Sequence, residues 1–210
     1  MRIDSLSSKP DRAGRYTLRF SDGSVMRVYR QTAEDFGLFS GMELDEASMD
    51  KLREAAGQMS AKMRAVRIVT ASNVSRRDLE DRLIRKGEKP DQAKEAVAWM
   101  EDLNLVDDGR TAAQIVSQCI RKGYGLNRAK QALYEKRIPK TYWDEALAEY
   151  PDQSEYILDF LRRQIQDFRD QRQVKRAVDA LLRRGHTYQD IRRCMNALAT
   201  DDFLEDESWH

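Results

Sequence analysis

The sequence predicts a mainly α-helical fold: three tandem three-helix repeats forming an elongated curved array, with a small N-terminal β-hairpin-containing cap. The first observation behind this is a self-similarity. The stretches Leu79-Glu80-Asp81-Arg82-Leu83-Ile84-Arg85-Lys86-Gly87, Ala129-Lys130-Gln131-Ala132-Leu133-Tyr134-Glu135-Lys136-Arg137 and Ala177-Val178-Asp179-Ala180-Leu181-Leu182-Arg183-Arg184-Gly185 match in length and character, with Leu83, Leu133 and Leu181 in the same place. They recur at intervals of roughly fifty residues, the mark of one supersecondary unit repeated along a chain. The second observation is that Ala93, Trp143 and Ile191 follow each copy at equal distance and open a further apolar face through Val97, Leu147 and Met195. The third is that period-two alternation is confined to the first thirty residues, while the text from Lys62 onward is helical.

Composition agrees. A chain of 210 residues with 40% hydrophobic, 35% charged and 8% aromatic side chains is lean for one thick core and suits an extended helical array. No apolar run approaches the length of a membrane span, and Met1-Arg2-Ile3-Asp4 carries no apolar signal region, so a soluble cytoplasmic protein without membrane contact is expected. Cys119 and Cys194 read as buried, reduced thiols. The net charge of +1 conceals a division: residues 62–199 carry 28 Lys+Arg against 21 Asp+Glu, residues 1–61 carry 9 against 10, and residues 200–210 carry none against 5. A basic array implies an anionic partner, either nucleic acid or a protein coated with it.

Element by element, residues 1–60 stand apart as a cap with a β-hairpin and a short helix. Tyr16-Thr17-Leu18-Arg19-Phe20 and Val25-Met26-Arg27-Val28-Tyr29 alternate, and an Asp22-Gly23 loop of type I′ would place Phe20 opposite Val25 and Tyr16 opposite Tyr29. Ile3 and Leu6 suit a third strand, and Asp45 caps the short helix of Met49 and Leu52. Residues 61–108 form the first repeat. Its first helix carries Met63, Val66, Val69 and Thr70 and breaks at Ser72-Asn73; Ser75-Arg76-Arg77-Asp78 is a capping box, and Gly87 stops the second helix. Pro90 opens the third, with Ala93, Val97, Met100 and Leu103 facing inward. Asp107 and Asp108 then complement the dipole at the next helix start.

The second repeat, residues 109–150, runs from Ile115 to Ile120, turns at Lys122-Gly123-Tyr124-Gly125, resumes from Leu126 to Leu133 and closes with Trp143, Ala146 and Leu147. Gly123-Tyr124-Gly125 has no preceding strand, so it reads as a tight interhelical turn and not as a phosphate-binding loop. In the third repeat, residues 151–199, the spacing of Tyr156, Ile157, Phe160, Leu161, Ile165 and Phe168 makes them core residues. Val174 to Leu182 forms the next helix, Gly185 stops it, and Thr187-Tyr188-Gln189-Asp190 is a second capping box. His186 reads as a lone turn histidine, and residues 200–210 as a frayed acidic tail ending in Trp209-His210.

Chemistry-bearing constellations are scarce. The Asp107-Asp108 pair has no His, Cys or third acid beside it, so no catalytic residue, no metal site and no cofactor is expected. The basic pairs Arg85-Lys86, Arg121-Lys122, Lys136-Arg137 and Arg183-Arg184 recur at helix ends, where they either serve the helix dipoles or meet phosphates and carboxylates of a partner. Tyr124, Tyr134 and Tyr188 lie among them as aromatics do in single-strand binders, or as packing at the turns. The candidate partner-binding set is therefore Arg85, Lys86, Arg121, Lys122, Tyr124, Arg128, Lys136, Arg137, Arg183, Arg184 and Tyr188.

Four of these stretches in this order carry a resemblance: Ser75 to Gly87, Leu105-Val106-Asp107-Asp108, Lys122-Gly123-Tyr124-Gly125 leading to Lys136-Arg137-Ile138, and Leu181 to Tyr188. Together, over residues 62–199, the chain resembles the RecX family of bacterial regulatory proteins. The resemblance implies tandem three-helix repeats and a non-catalytic modulator, most often an inhibitor, of the RecA recombinase. It implies binding along the RecA–single-stranded-DNA filament, with consequences for recombination and the SOS response, weak direct DNA binding and a monomeric protein. Arg137 departs from the glycine that the family pattern has there, so that helix must end without one. The N-terminal β segment occurs only in some members of the family. The alternative is a stand-alone DNA-binding helical protein or transcription regulator, which would bind duplex DNA without RecA.

Overall fold

Three short runs of alternating residues near the N-terminus pair into an antiparallel sheet of order β1-β2-β3, formed by Ile3–Leu6, Arg15–Phe20 and Val25–Tyr29. In this computed structural model, which describes the backbone of residues 1–206 and the side chains of residues 1–198, the hairpin register differs by one residue from the expected one. Arg19 pairs with Val25 and Tyr16 with Val28, while the Phe20 N–H donates to the Ser24 carbonyl at 3.0 Å. The reason lies in the turn. Of the turn residues only Gly23 takes a positive φ (81°), where a type I′ turn needs one at Asp22 too, and the Asp22 carboxylate accepts from both the N–H and the hydroxyl of Ser24, so the loop has three residues. Shifting the register by one exchanges faces. Leu18, Phe20 and Val28 are buried and Val25 is exposed.

A short helix α1 (Arg30–Asp35) follows β3, and the chain then enters α2 (Glu46–Ala71), whose N-cap Asp45 accepts from the Ser48 N–H at 2.7 Å. The two helices expected on either side of Lys62 are one 26-residue helix. Nothing between them stops it, because Gly57 stays helical and its missing Cβ leaves room for the Gln92 side chain. Along α2, Met49, Leu52 and Ala56 pack with Ile3, Leu18, Phe20 and Val28 in one core. Ala61, Ala65 and Ile68 pack in a second core with α3 (Arg76–Arg85) and α4 (Pro90–Asp102). The expected stripe is thus displaced: alanines form its centre, Val66 and Val69 flank it, and Thr70 is exposed. Small residues let α2 come close to Ala93 and Ala96 of α4. Leu103 is likewise exposed, at 49%, because Asn104 turns left-handed and Val106 fills the place beneath the helix.

These elements form one compact unit, Met1–Asp107, and a second begins at Asp108. The second unit opens with α5 (Asp108–Arg121) and α6 (Leu126–Glu135), followed by a 3-10 turn (Lys140–Tyr142) and α7 (Trp143–Leu147). Their core holds Ala112, Val116, Leu133 and Ile138, with Ile115, Ile120, Trp143 and Leu147 around it. Then come α8 (Ser154–Gln164), α9 (Gln171–Arg183) and α10 (Tyr188–Asp206), around Ile157, Leu161, Ile165, Ala177, Leu181, Ile191, Cys194 and Leu198. Helix α10 continues past Thr200 to Asp206, so the expected tail begins as helix; the rest of that tail, with Trp209 and His210, lies outside the described residues.

Caps and stops repeat with the sequence echo. The Ser75 hydroxyl accepts from the Asp78 N–H at 3.1 Å, and Thr187 accepts from Asp190 at 3.1 Å while donating its own proton to that carboxylate at 2.6 Å. At the C-terminal ends of α3, α6 and α9 the same two-bond closure appears. Gly87 donates to Ile84 and Glu88 to Leu83; Arg137 donates to Tyr134 and Ile138 to Leu133; Gly185 donates to Leu182 and His186 to Leu181. The left-handed position has φ of 93°, 55° and 86°. Arg137 therefore adopts the glycine conformation with a full side chain, at a cost of roughly 1 kcal/mol. Arg137→Gly should accordingly raise the urea midpoint by an amount equivalent to about 1 kcal/mol with the m-value unchanged.

Candidate interaction surface

Cations gather at the ends of α3, α5, α6 and α9 because the exposed carbonyls there favour positive charge. In the structure Arg85, Lys86, Arg121, Lys122, Lys136, Arg137 and Arg183 all stand exposed, as does Tyr188 at 61% and Tyr134 at 69%. Arg85 returns its Nε–H to the Asp81 carbonyl at 3.3 Å. Arg121 borders a groove of about 620 Å³ between α5 and α7, which Tyr142, Glu145 and Glu149 also line. Arg128 is half-buried and pairs with Glu135 at 3.0 Å.

Arg184 and Tyr124 have a different setting. The turn Gly123-Tyr124-Gly125, between α5 and α6, meets the turn Arg184-Gly185-His186, between α9 and α10. The Gly125 N–H donates to the Arg184 carbonyl at 2.9 Å, and the Asn127 N–H to the Gly185 carbonyl at 3.3 Å. Arg184 Nη1 donates to the Tyr156 hydroxyl at 2.7 Å, and its guanidinium lies within 6 Å of the rings of Tyr124, Tyr156 and Phe160. Tyr150 donates to the Tyr124 carbonyl at 2.6 Å; its hydroxyl is pushed up to about 12 by burial. His186 is buried, stacks on Tyr156, and its Nε2 donates to the Gly123 carbonyl at 3.1 Å. The glycines are required by this contact. A Cβ on Gly125 would overlap the Gly185 carbonyl, one on Gly185 the Arg128 backbone, and one on Gly123 the Tyr156 ring.

Lys122, Tyr124, Arg128 and Arg184 are thus brought together at one joint. Arg184 serves that joint with its side chain, whereas Lys122 contributes only its carbonyl and keeps its ammonium outside. His186, expected as a lone turn histidine, instead has Gly123 and Tyr156 as partners, and neither it nor Tyr150 was among the expected site residues. The available signal was the position after each left-handed residue, which turns inward: Glu88, Ile138 and His186 are all buried. A polar side chain there requires a partner. Glu88 has Arg64 at 2.8 Å and the Ser60 hydroxyl at 3.0 Å, as His186 has Gly123. Burial pushes the Cys119 and Cys194 thiols up, and both are free. Among the described residues no group of three or more His, Cys, Asp or Glu side chains is placed to hold a metal, and no helix is long and apolar enough to cross a membrane.

Comparison with known proteins meets this geometry at its central turn. The family profile for the second three-helix domain of RecX matches residues 107–147, from the start of α5 to the end of α7. The regulatory protein RecX of Xanthomonas axonopodis pv. citri is 32% identical over 132 residues, spanning 61% of this chain and 82% of that protein. The chain belongs to the RecX family. The regulatory protein RecX of Clostridioides difficile is 23% identical over 207 residues, 96% of either chain, so that relationship extends through the N-terminal β segment. A crystal structure of a regulatory protein RecX superposes with a TM-score of 0.66 over 93% of this chain at 20% identity, which places the fold within the same architecture. The RecX fold here is mainly helical with a small three-stranded antiparallel sheet at its N-terminus.

Two outcomes follow from the joint. Gly87 and Gly185 hold the same turn position, but open space surrounds Gly87 while Gly185 abuts Arg128. Gly87→Ala should cost about 1 kcal/mol from backbone strain alone, and Gly185→Ala at least about 2 kcal/mol because overpacking adds to it, as measured by chemical denaturation. The second concerns pH. Burial pulls His186 below the usual imidazole range, the Gly123 carbonyl opposes this, and Arg184 adds to it. The unfolded chain then binds the proton more readily, so this contribution to stability is complete above about pH 6.5 and is lost as pH falls through the lower folded value. His186→Gln, which keeps a donor for Gly123, should flatten that part of the stability–pH curve.

Proposed function

We propose that this RecX-family protein is a non-catalytic cytoplasmic regulator that binds the RecA–single-stranded-DNA filament and inhibits its recombinase, ATPase and co-protease activities, in recombination and the SOS response. Membership of a family of regulatory proteins carries this reading. The recurrence of exposed cations at helix ends supports it: Arg85-Lys86, Lys136-Arg137 and Arg183 at the equivalent ends of α3, α6 and α9, and Arg121-Lys122 at the end of α5, offer repeated contacts of one sign to a polyanionic filament. Several weak contacts held on one chain bind far more tightly than any of them alone, which suits a monomer acting on a polymer. Arg184 and Tyr124 then act from behind, by setting where Lys122, Arg128 and Arg183 stand.

The test is RecA-dependent ATP hydrolysis on single-stranded DNA, with and without the protein. The wild-type chain should suppress it. Replacing Lys86, Lys122 and Arg183 together by Glu should weaken suppression at least about tenfold while the circular dichroism stays the same, since reversing exposed charges alters association and not packing. Full suppression by this variant would assign these cations to the helix dipoles alone. Tight, sequence-dependent binding of duplex DNA in the absence of RecA would favour a stand-alone DNA-binding protein instead.

A further inference from the structure

Helices α9 and α10 leave a groove of about 540 Å³ between them, lined by Gln171, Val174, Lys175, Val178, Tyr188, Ile191, Arg192, Met195 and Asn196. Its floor is aliphatic. Val174 and Val178 come one helical turn apart from α9, and Ile191 and Met195 one turn apart from α10. Its rim is cationic: Lys175 and Arg192 are exposed, and among the described residues neither has a hydrogen bond or ion pair. The carboxylate of Asp190 near this rim is already engaged by Thr187 and Arg193.

The repeat itself shows that this groove is not a requirement of the fold. Aligned on Leu83 and Leu181, the places of Val174 and Val178 are taken in α3 by Arg76 and Glu80. The same helix in the same bundle position therefore folds with charged side chains where α9 carries half-buried valines. Keeping Val174 and Val178 only half-buried gives up part of the stabilisation that apolar burial supplies, and leaves an apolar slot between two cations.

We propose that the α9–α10 groove is a docking site for an acidic amphipathic helix of a partner protein, which sets aliphatic side chains on the half-buried Val174, Val178 and Met195 and carboxylates against Lys175 and Arg192. Charge complementarity decides the sign of the ligand. The floor decides its class. Val174 and Val178, one turn apart on α9, with Met195 of α10 across the groove and the buried Ile191 beneath, match the apolar stripe of a third helix, whereas a nucleobase would need hydrogen-bonding partners along its edges that these side chains do not offer. This site is separate from the helix-end cations of the filament reading, so either can fail without the other.

The test uses the full chain and a fluorescein-labelled synthetic 14-residue peptide with Leu at positions 2, 5, 6, 9 and 13 and Glu or Asp at most others, read by fluorescence anisotropy. Val174→Arg with Val178→Glu, which installs the side chains that α3 already carries, should fold as the parent does by circular dichroism and weaken peptide binding at least tenfold. Lys175→Glu with Arg192→Glu should do the same, and unlabelled oligo-dT should leave the bound peptide in place. A peptide that fails to bind the parent, or binds all three proteins alike, overturns the proposal. So does displacement by oligo-dT that the valine substitutions abolish, because the groove would then hold nucleic acid. If the valine variant loses helicity, the same comparison is made with Met195→Lys, whose side chain leaves the cation pair intact.

Discussion

One backbone bond at the end of each of α3, α6 and α9 governs the rest: the carbonyl of Leu83, Leu133 or Leu181 accepts an N–H from five residues ahead, past a residue held in the left-handed conformation. That bond ends the helix and engages a carbonyl of its last turn, which the straight helix would leave for a residue that is no longer helical. It also reverses the chain sharply enough that the next residue points back into the core. Each of these leucines is fully buried, so the bond and the packing depend on one another. The cations cluster just outside this closure, where the remaining carbonyls face solvent.

The inward residue has been used for a different purpose each time. Ile138 adds to an aliphatic core. Glu88 carries a buried carboxylate and therefore requires Arg64 and Ser60 from α2, which ties the end of α3 to the long helix. His186 carries a buried imidazole and reaches the Gly123 carbonyl, which ties the end of α9 to the turn after α5. A buried polar group with its partner present specifies one arrangement, since every alternative leaves it unsatisfied. The joint at Gly123, Gly125 and Gly185 adds a steric condition to the same end, because backbones in contact leave no room for a Cβ. As a result Arg184, chemically equivalent to Arg183, has its half-buried side chain committed to this joint, and the proposed surface is made of the cations that are not.

Helix α2 plays the corresponding part in the first unit. By running without interruption from the sheet core to the helical core, it makes the β segment and the bundle of α2, α3 and α4 one packed body. The sheet is small, and a three-stranded sheet alone buries little; Met49, Leu52 and Ala56 supply its second layer.

Local rules were sufficient for much of this. The fifty-residue echo, the caps at Asp45, Ser75 and Thr187, the stops at Gly87 and Gly185, and the helical character of everything after the sheet follow from side-chain hydrogen bonding and backbone sterics within a few residues, and these operate alike in any context. The family resemblance rested on the same stretches. What the tertiary structure alone decided were choices between local options of similar energy. Gly57 tolerates a helix or a break, and packing of Gln92 selected the helix. Asp22-Gly23 suits two hairpin loops, and burial of Leu18, Phe20 and Val28 on one face accompanies the three-residue one. Arg183 and Arg184 are indistinguishable as sequence, and only the approach of Tyr124, Tyr156 and Phe160, which come from other elements, made one of them structural. Such contacts join residues about twenty-five to sixty positions apart, beyond the reach of helical periodicity and turn propensity, which act over only a few residues.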